Sequence, residues 1–306
     1  MAIQELGYVR NDAARQLRAG FNPAVGMIVL DARNPYFTDV AAGAEQHLMH
    51  LGRPLLLSNS SQQSDRESMY LNLFEQQRVA GILIAPVGNV LPRLRKLQKH
   101  GIPVVVIDRK TGADELSSVS VDDERGGWLA ANHLIAQGGQ RIAVIGGPHV
   151  LRQVQHRLRG AQQRARQDPK ITVEYVPTEA MDASSGRTAT EDLLNRSARE
   201  RPDAIFAAND LVALGALQTL ARARVGVPDD MLLIGYDDIE FAANATIPIT
   251  SIRQPSAEMG QHAAHLLQLA IQDPNSPIHH KVFQPELVER ESTGRPRLHA
   301  NGDKPW

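Results

Sequence analysis

The chain has 306 residues, of which 42% are hydrophobic and 22% are charged, and its formal net charge is −1. This length and composition predict about two globular domains with buried cores and argue against disorder. The near-zero net charge excludes a global basic field for nucleic acid, so any DNA contact must come from a local patch. The absence of cysteine excludes disulfides, cysteine-ligated zinc and thiol catalysis.

We expect neither a membrane-spanning segment nor a signal peptide. Charged residues, proline and glycine interrupt every apolar run well before the roughly 18 residues that a membrane helix requires. Residues 1–20 contain charged side chains such as Glu5, Arg10 and Arg18 and no continuous apolar stretch. We therefore expect a cytoplasmic protein without membrane contact.

From residue 25 onward, short apolar runs alternate with longer amphipathic stretches. The runs predict strands at residues 25–31, 53–58, 80–86, 103–109, 118–123, 141–147, 171–177, 203–210 and 231–238. The stretches predict helices at residues 36–51, 64–77, 124–137, 152–167 and 211–224. Near-continuous apolar strands that alternate with helices indicate parallel sheets covered on both faces. The sequence predicts an α/β fold with one wide sheet or two smaller ones.

Two of the predicted helices begin with capping signals. Asn34 followed by Pro35 predicts an N-cap with proline at the first helical position. Ser64 with Glu67 fits a capping box, in which each side chain binds a backbone amide of the other residue.

Polar residues follow five of the predicted strands. The segments are DARNPYF, VIDR, IGGP, AAND and GYDD. Ligands of open parallel sheets bind beyond the carboxyl ends of the strands. We therefore predict a ligand cleft where these segments converge.

Motifs of nucleotide-dependent enzymes and hydrolases are absent. The segment IGGPHV at 145–150 lacks the G-x-G-x-x-G spacing, and no phosphate-binding loop or nucleophile elbow occurs. His262 and His265 lack a carboxylate at metal-site spacing, so we interpret them as surface histidines. We expect no enzymatic activity, no cofactor and no metal.

Tyr36 and Phe37 are the first candidates for ligand contacts, in a chain where 4% of residues are aromatic. One ring is expected to pack into the core and the other to offer its face to a sugar or base. Asp108 and Arg109 suit the hydroxyls of a polyol, since one accepts and the other donates hydrogen bonds; equally, they can form a strand-end ion pair.

The other strand-end groups also allow a structural interpretation. Asn209 and Asp210 precede a helix, and we expect Asp210 to cap it. Of Asp237 and Asp238, one is interpreted as a ligand group and the other as a turn former. Arg157 taken alone is a surface arginine.

In this order, several segments resemble the LacI family of bacterial transcription regulators over nearly the whole chain. They are AIQELGYVRNDAARQLRAG, VGMIVLDARNPYF, GILIAP, VVVIDR, VSVDDERGGWLAANHLIAQGGQRIAVIGGP, FAANDLVALGAL, LLIGYDDIEFA and TSIRQP. The resemblance implies a core similar to periplasmic sugar-binding proteins, with two doubly wound parallel-sheet lobes, three crossovers and the ligand between the lobes. It places residues 21–122 and 256–282 in one lobe, and residues 123–255 and 283–306 in the other.

The resemblance also assigns a role to residues 1–20. They correspond to the end of a DNA-binding headpiece, followed by a hinge helix that lies in the minor groove. The implied DNA-contacting residues are Asn11, Ala14, Arg15, Leu17 and Arg18. A complete headpiece includes an upstream recognition helix, so we expect operator binding only in a full-length form.

The family pattern implies an effector held from both lobes. Tyr36 and Phe37 would sandwich it, and Gln254 would line a crossover. Hydrogen bonds would come from Asp108, Arg109, Arg157, Asn209 and Asp237. Leu151 stands where some relatives have a polar or arginine contact. The implied effector is a sugar or sugar derivative, with a nucleobase or nucleoside as the alternative.

These features together predict an effector-responsive repressor. We expect it to be a homodimer, because twofold symmetry suits pseudo-palindromic DNA. The alternative is a soluble sugar-binding protein of a transport system. Such a protein shares the cleft, but it requires a signal peptide and has no use for the hinge-like segment NDAARQLRAG.

Overall fold

The computed structural model describes residues 22–294, in which strands and helices alternate. The strands are β1 (Asn22–Val29), β2 (Leu55–Asn59), β3 (Val79–Ile84), β4 (Val104–Ile107), β5 (Ser118–Val121), β6 (Arg141–Gly146), β7 (Thr172–Pro177), β8 (Ala204–Ala207), β9 (Leu232–Asp237), β10 (Thr250–Arg253), β11 (His280–Phe283) and β12 (Glu286–Val288). The helices are α1 (Pro35–Met49), α2 (Ser64–Gln76), α3 (Leu91–Lys99), α4 (Asp123–Ala136), α5 (Arg152–Ala165), α6 (Ala183–Leu194), α7 (Asp210–Arg222), α8 (Glu240–Ala243) and α9 (Ser256–Gln272), followed by the 3-10 helix Glu291–Thr293.

The strands form two six-stranded sheets. The first has the order β11-β5-β4-β3-β1-β2, and all its neighbouring pairs are parallel. The second has the order β12-β10-β9-β8-β6-β7 and is parallel except for the pair of β10 and β12. The predicted α/β class is confirmed, with two smaller sheets in place of one wide one.

Helices cover each sheet. Helices α1, α2, α3 and α9 contact strands of the first sheet, and α4, α5, α7 and α8 contact strands of the second, while α6 packs on α7. We call each sheet with its helices a lobe.

The chain passes between the lobes three times. The crossings lie between β5 and α4, between β10 and α9, and between β11 and β12. We propose that the lobes divide after residues 122 and 255, as expected from the sequence, and after residue 283 instead of 282, because Phe283 still pairs with β5 in the first sheet.

The predicted elements are present, with bounds that differ by a few residues. The apolar and amphipathic patterns do not individually predict α3, α6, α8 or the last three strands, and they give no bounds for α9. Helix α6 begins with the segment ASSGRTAT, whose serines, threonines and glycine are weak helix formers. It is held in place by packing on α7.

Strand β2 departs from the predicted pattern, because it is the outer strand of the first sheet. Its side chains Leu56 and Leu57 are 41% and 44% exposed. The prediction that the strands are covered on both faces is therefore wrong for β2. Within residues 22–294, nothing pairs with its outer edge.

The two capping predictions have different outcomes. Asn34 caps α1 as predicted, since its Oδ1 accepts a hydrogen bond from the Tyr36 backbone N–H at 3.1 Å. The predicted capping box is wrong: Ser64 is the first residue of α2, and the N-cap is Gln63. Glu67 is buried and accepts from the Val87 backbone N–H at 2.7 Å, so its carboxylate supports the loop after β3.

Three pairs of helices pack at backbone distance through glycines: α1 with α9, α4 with α5, and α6 with α7. In each pair, a glycine on either helix faces a carbonyl oxygen of the other. The glycine–carbonyl partners are Gly43 and Ala257, Gly260 and Val40, Gly127 and Arg157, Gly160 and Glu124, Gly186 and Val212, and Gly215 and Ala183. A Cβ atom at any of these glycines would overlap its partner oxygen.

Candidate functional site

The carboxyl ends of strands from both sheets enclose one small cavity. Its lining residues are Leu30, Asp31, Asn34, Tyr36, Phe37, Gln62, Asp108, Leu151, Gln153, Arg157, Met181, Asn209 and Asp237. The first seven belong to the first lobe and the others to the second. The strand-end segments singled out in the sequence therefore do converge, although IGGP contributes through the helix that follows it.

On the first lobe, the N-cap of α1 fixes two aromatic rings at the end of β1. The rings of Tyr36 and Phe37 are buried and lie edge to face, with their centroids 4.9 Å apart. The Tyr36 hydroxyl donates to Oδ1 of Asp108 at 3.1 Å. Asp108, which follows β4, is thus in direct contact with Tyr36, one of the two aromatic residues that the sequence suggests for ligand binding.

On the second lobe, Arg157 is held from three sides. Its Nε donates to Asp123 at 2.7 Å and its Nη1 to the Ala208 carbonyl at 2.6 Å. The guanidinium lies over the Tyr236 ring, 3.6 Å from the centroid. Arg157 is therefore a buried and oriented group, not the surface arginine that its position in the sequence alone suggests.

Asp237 ends β9 on the same lobe. Its Oδ1 accepts from Nε2 of Gln254 at 2.7 Å, and its Oδ2 accepts from Nδ2 of Asn34 at 2.8 Å. Gln254 does not line the cavity but lies behind Asp237 and supports it.

The expectation for Asp210 is wrong, because Asn209 caps α7. Oδ1 of Asn209 accepts from the Val212 backbone N–H at 2.9 Å, and its Nδ2 donates to the Met181 carbonyl at 3.1 Å. Asp210 instead points into the second lobe, where it accepts from the hydroxyl of Ser251 and the backbone N–H of Ile239, both at 2.8 Å. Burial raises the pKa of Asp210 well above its ordinary value.

Two buried hydrogen bonds join the lobes directly across the cavity. One is the bond from Asn34 to Asp237, and the other is from Nε2 of Gln153 to Oδ2 of Asp108 at 2.9 Å. The space left among the lining residues is about 20 Å³, which is room for about one water molecule. A monosaccharide is far larger, so the lobes must separate to admit one.

Comparisons with known proteins agree with this architecture. Residues 131–293 match the family described as periplasmic binding protein-like domain. The HTH-type transcriptional repressor PurR of Aliivibrio fischeri (strain ATCC 700601 / ES114) is 31% identical over 294 residues, which cover 95% of this chain and 87% of the relative. This chain belongs to the LacI family.

Solved structures of LacI-family proteins have the same fold. A LacI family transcriptional regulator from Enterococcus faecalis V583 with bound ribose is 31% identical; the match has a TM-score of 0.80 and covers 90% of this chain and 100% of the other. The transcriptional regulator CelR in complex with cellobiose is 30% identical, with a TM-score of 0.77 and coverage of 95% and 88%. The relatives are transcription regulators, some with sugars bound.

Arg109, like Gln254, is implied for the effector by the LacI-family pattern but lies elsewhere. Arg109 does not line the cavity between Asp108 and Asp237 but a neighbouring one, where its Nη1 donates to the Gly88 carbonyl at 2.7 Å. It makes no ion pair with the adjacent Asp108 among the described residues.

Burial dominates the electrostatics of this LacI-family site. Burial, reinforced by the nearby Asp123 carboxylate, raises the pKa of Asp108 to about 7. It also raises the pKa of Asp237 to about 6. For Arg157, burial lowers the pKa, but the surrounding carboxylates, first Asp123, raise it above its ordinary value. The cavity thus combines the permanent positive charge of Arg157 with two aspartates, Asp108 and Asp237, that burial makes harder to ionise.

The sequence did not single out several residues that the LacI-family fold brings to the cavity. Gln153 binds Asp108 across the cleft, while Asp31 and Gln62 line the first-lobe side. Met181 precedes α6, which was not predicted. The helical spacing of Gln153 and Arg157, four residues apart on α5, is the one sequence signal that places both on the same helix face.

The implied hinge residues of the LacI family, Asn11, Ala14, Arg15, Leu17 and Arg18, lie outside the residues that the structure describes. Among the helices of residues 22–294, none combines the length and the apolar composition of a membrane span.

Proposed function

We propose that this chain belongs to an effector-responsive transcriptional repressor that acts in the cytoplasm, and that a sugar or sugar derivative binds between its lobes. The observation that carries this proposal is the convergence of Asp108, Asp237 and Arg157 from three elements on one buried cavity. Carboxylates accept hydrogen bonds from hydroxyls, and the arginine donates to hydroxyl or ring oxygens. The aromatic rings of Tyr36 and Phe37 suit the apolar face of a sugar ring.

Ligand binding in this proposal exchanges one set of hydrogen bonds for another. The ligand takes the place of Asn34 on Asp237 and of Gln153 on Asp108, so the lobes first separate and then close on it. A ligand shifts such an equilibrium only by its difference in affinity for the two arrangements. In the full-length form, this shift would reposition the hinge residues Arg15, Leu17 and Arg18 and the reading heads upstream of them.

The binding part of the proposal is tested by titration calorimetry and thermal shift with a panel of pentoses, hexoses, disaccharides and nucleobases. A ligand at a hundred times its dissociation constant stabilises the fold by about 2.7 kcal/mol. We expect Asp237→Asn to weaken sugar binding about tenfold or more, because a charged hydrogen bond contributes about 1.5–3 kcal/mol.

The exposed aspartate variant Asp192→Asn on α6 is the control and should leave the affinity unchanged. Exclusive binding of nucleobases would replace the sugar assignment with the nucleobase alternative. Unchanged sugar affinity in Asp237→Asn would contradict the proposed site. Recovery of the protein from the periplasm would favour the transport alternative over the repressor.

We also propose that the regulator is a homodimer, and the first lobe offers a surface that supports this. Six exposed apolar side chains lie on three consecutive elements, α1, β2 and α2, or just after α1: they are Met49, Leu51, Leu56, Leu57, Met69 and Leu73. Exposed apolar surface marks interaction sites in soluble proteins where it is contiguous.

Sedimentation velocity at micromolar concentration should give a dimer, and Leu73→Asp should give a monomer. The matched control is Gln163→Asp, which places the same charge on exposed α5 of the other lobe. A monomeric wild-type protein, or a Leu73→Asp variant that stays dimeric, would contradict this interface.

A further inference from the structure

A second cavity of about 300 Å³ lies between the lobes, beside the one just described. Its first-lobe side is the loop after β3, residues 86–89, together with Arg109 after β4. Its second-lobe side is the start of α5, with Val150, Arg152 and Gln155. Gln153 lines both cavities, so they lie on either side of this one side chain.

The charged side chains that line this second cavity are all positive. Arg109 and Arg152 line it, and no carboxylate does. Two nearby carboxylates, Glu115 and Glu67, oppose the lowering of the pKa of Arg109 by burial, but neither lines the cavity. Glu67 accepts from the Val87 backbone N–H at 2.7 Å, and Glu115 pairs with Arg95 at 2.7 Å. Two like charges that approach from opposite lobes oppose closure unless an anion lies between them.

Arg109 is the decisive residue, because it is buried although one of its hydrogen-bond donors has no acceptor. The residue is 8% exposed, and its Nε has no hydrogen-bond partner, although its Nη1 is bound to the Gly88 carbonyl. Burial, and then the charge of Arg152, lower the pKa of Arg109. A buried charged donor without an acceptor is costly, so such groups are normally paired. Arg152 is exposed and, among the described residues, its side chain also has no partner.

The backbone adds donors at the same place. Helix α5 begins at Arg152, and its N-cap residue Leu151 has no side chain that can accept from the first turn. The helices that follow β1, β5, β7 and β8 are capped by Asn34, Asp122, Asp182 and Asn209, respectively. Uncapped first-turn amides and the positive end of the helix dipole favour an anion.

We propose that this second cavity is an anion subsite, and that the effector carries a phosphate or carboxylate group that bridges Arg109 and Arg152. This inference rests on the proposed function and narrows the ligand class to sugar phosphates or sugar acids. The hydroxyl-bearing part lies between Asp108 and Asp237, where the carboxylates disfavour an anion. The anionic end lies beyond Gln153, where guanidinium forks match phosphate and carboxylate oxygens. Bridging the two arginines removes their repulsion and so favours lobe closure.

The test uses matched neutral and anionic probes in titration calorimetry. The sets are D-glucose with D-glucose 6-phosphate and D-gluconate, D-galactose with D-galacturonate, and D-ribose with D-ribose 5-phosphate; inorganic phosphate is titrated separately. We expect at least one anionic probe to bind at least tenfold more tightly than its neutral partner, and its affinity to fall as salt is added. Preference for the phosphates or for the acids identifies the group.

Arg152→Gln is the primary variant, because Arg152 is exposed and its loss leaves the core intact. It should remove at least tenfold of the anionic probe's affinity and leave the neutral partner's affinity unchanged. Arg109→Lys, which keeps the charge but loses the fork, should have a smaller effect in the same direction. Arg159→Gln is the matched control: it removes the same charge from the same helix, where Arg159 pairs with Glu124.

The outcomes separate this inference from the proposed function. If inorganic phosphate stabilises the wild type but not Arg152→Gln while no sugar of either kind binds, the subsite stands and the sugar effector is wrong. If neutral sugars bind as tightly as their anionic partners, or if Arg152→Gln and Arg159→Gln behave alike, the subsite is overturned and the sugar effector stands. Binding of no probe, inorganic phosphate included, overturns the subsite as well.

Discussion

Asp108 and Asp237 hold backbone conformations that side-chain-bearing residues rarely adopt. Their φ angles are +61° and +106°, at the ends of β4 and β9. Such conformations cost about 1–3 kcal/mol each and persist only where the surrounding structure imposes them. Aspartate and asparagine tolerate them better than alanine, so asparagine is the substitution that tests the carboxylate without adding strain.

Asp108→Asn should make the protein more stable at pH 8. Because burial raises the pKa of Asp108 to about 7, the folded state holds this proton more tightly than the unfolded state. The stabilisation is complete below the unfolded pKa and is lost as pH rises through about 7. Asparagine cannot ionise, so we expect a gain of up to about 4 kcal/mol at pH 8, from about three pKa units at 1.36 kcal/mol each, and little change at pH 4.

Urea unfolding of both proteins across this pH range measures the difference. Asp192→Asn, an exposed substitution with the same charge change, corrects for net charge. If the free energies of unfolding of the wild type and Asp108→Asn depend on pH in the same way, ionisation of Asp108 does not destabilise the folded state. The gain in stability should come with weaker ligand binding, since the neutral amide cannot accept as the carboxylate does.

At the scale of single elements, helix propensity alone predicts the wrong direction for the stability change when a glycine between two packed helices is replaced by alanine. Gly160 lies within α5, where alanine is intrinsically favoured over glycine by about 1 kcal/mol. However, a Cβ at this position would overlap the Glu124 carbonyl of α4. Overpacking of this kind costs about 1–3 kcal/mol or more and exceeds the propensity gain.

We therefore expect Gly160→Ala to lower the free energy of unfolding by about 1–2 kcal/mol. Gln163→Ala, on the exposed side of the same helix, reports the propensity effect alone and should be neutral or slightly stabilising. Chemical denaturation of the two variants distinguishes them. A stabilised Gly160→Ala protein would mean that α4 and α5 separate easily.

The elements also show how far the sequence can be interpreted. Apolar runs predict the central strands because both faces of those strands are buried, and capping chemistry predicts the start of α1 at Asn34. The same patterns fail for α2, where Glu67 serves a loop twenty residues away in the chain. A capping box is a local pattern, whereas this hydrogen bond depends on where β3 ends.

For the candidate site, strand-end position places Asp108, Asp237 and Asn209 near the predicted cleft, and the resemblance to the LacI family picks them as ligand groups. Strand-end position does not distinguish a side chain that faces the cavity from one that faces the core. For this reason the sequence predicts Asp210 as the cap of α7, whereas Asn209 caps it. Nor does strand-end position reveal that Arg109 turns away from Asp108, since consecutive residues differ in direction by the local φ and ψ. Contacts across the lobes, such as Gln153 with Asp108, have no local signature.

At the scale of the whole molecule, two hydrogen bonds hold the lobes in their present arrangement. Removing one should shift the population toward open forms, because a hydrogen bond to a charged group contributes about 1.5–3 kcal/mol. We expect Gln153→Ala to increase the radius of gyration measured by small-angle X-ray scattering and to speed ligand association about tenfold.

The control is again Gln163→Ala on the same helix, which makes no contact across the cleft. If Gln153→Ala leaves both the scattering curve and the association rate unchanged, then the bond to Asp108 does not hold the lobes together. The bond from Asn34 to Asp237 is a less clean target, because Asn34 also caps α1.

The order of the strands has a consequence for synthesis. Strand β11 completes the first sheet beside β5, and β12 completes the second beside β10. Ser292 then donates to the Leu233 carbonyl at 2.5 Å and accepts from the Thr250 backbone N–H at 2.8 Å. On the ribosome, neither lobe can therefore complete its sheet until β11 and β12, within residues 280–288, have emerged. Until then, β5 and β10 each present an unpaired edge to other nascent chains, and such edges promote aggregation during folding.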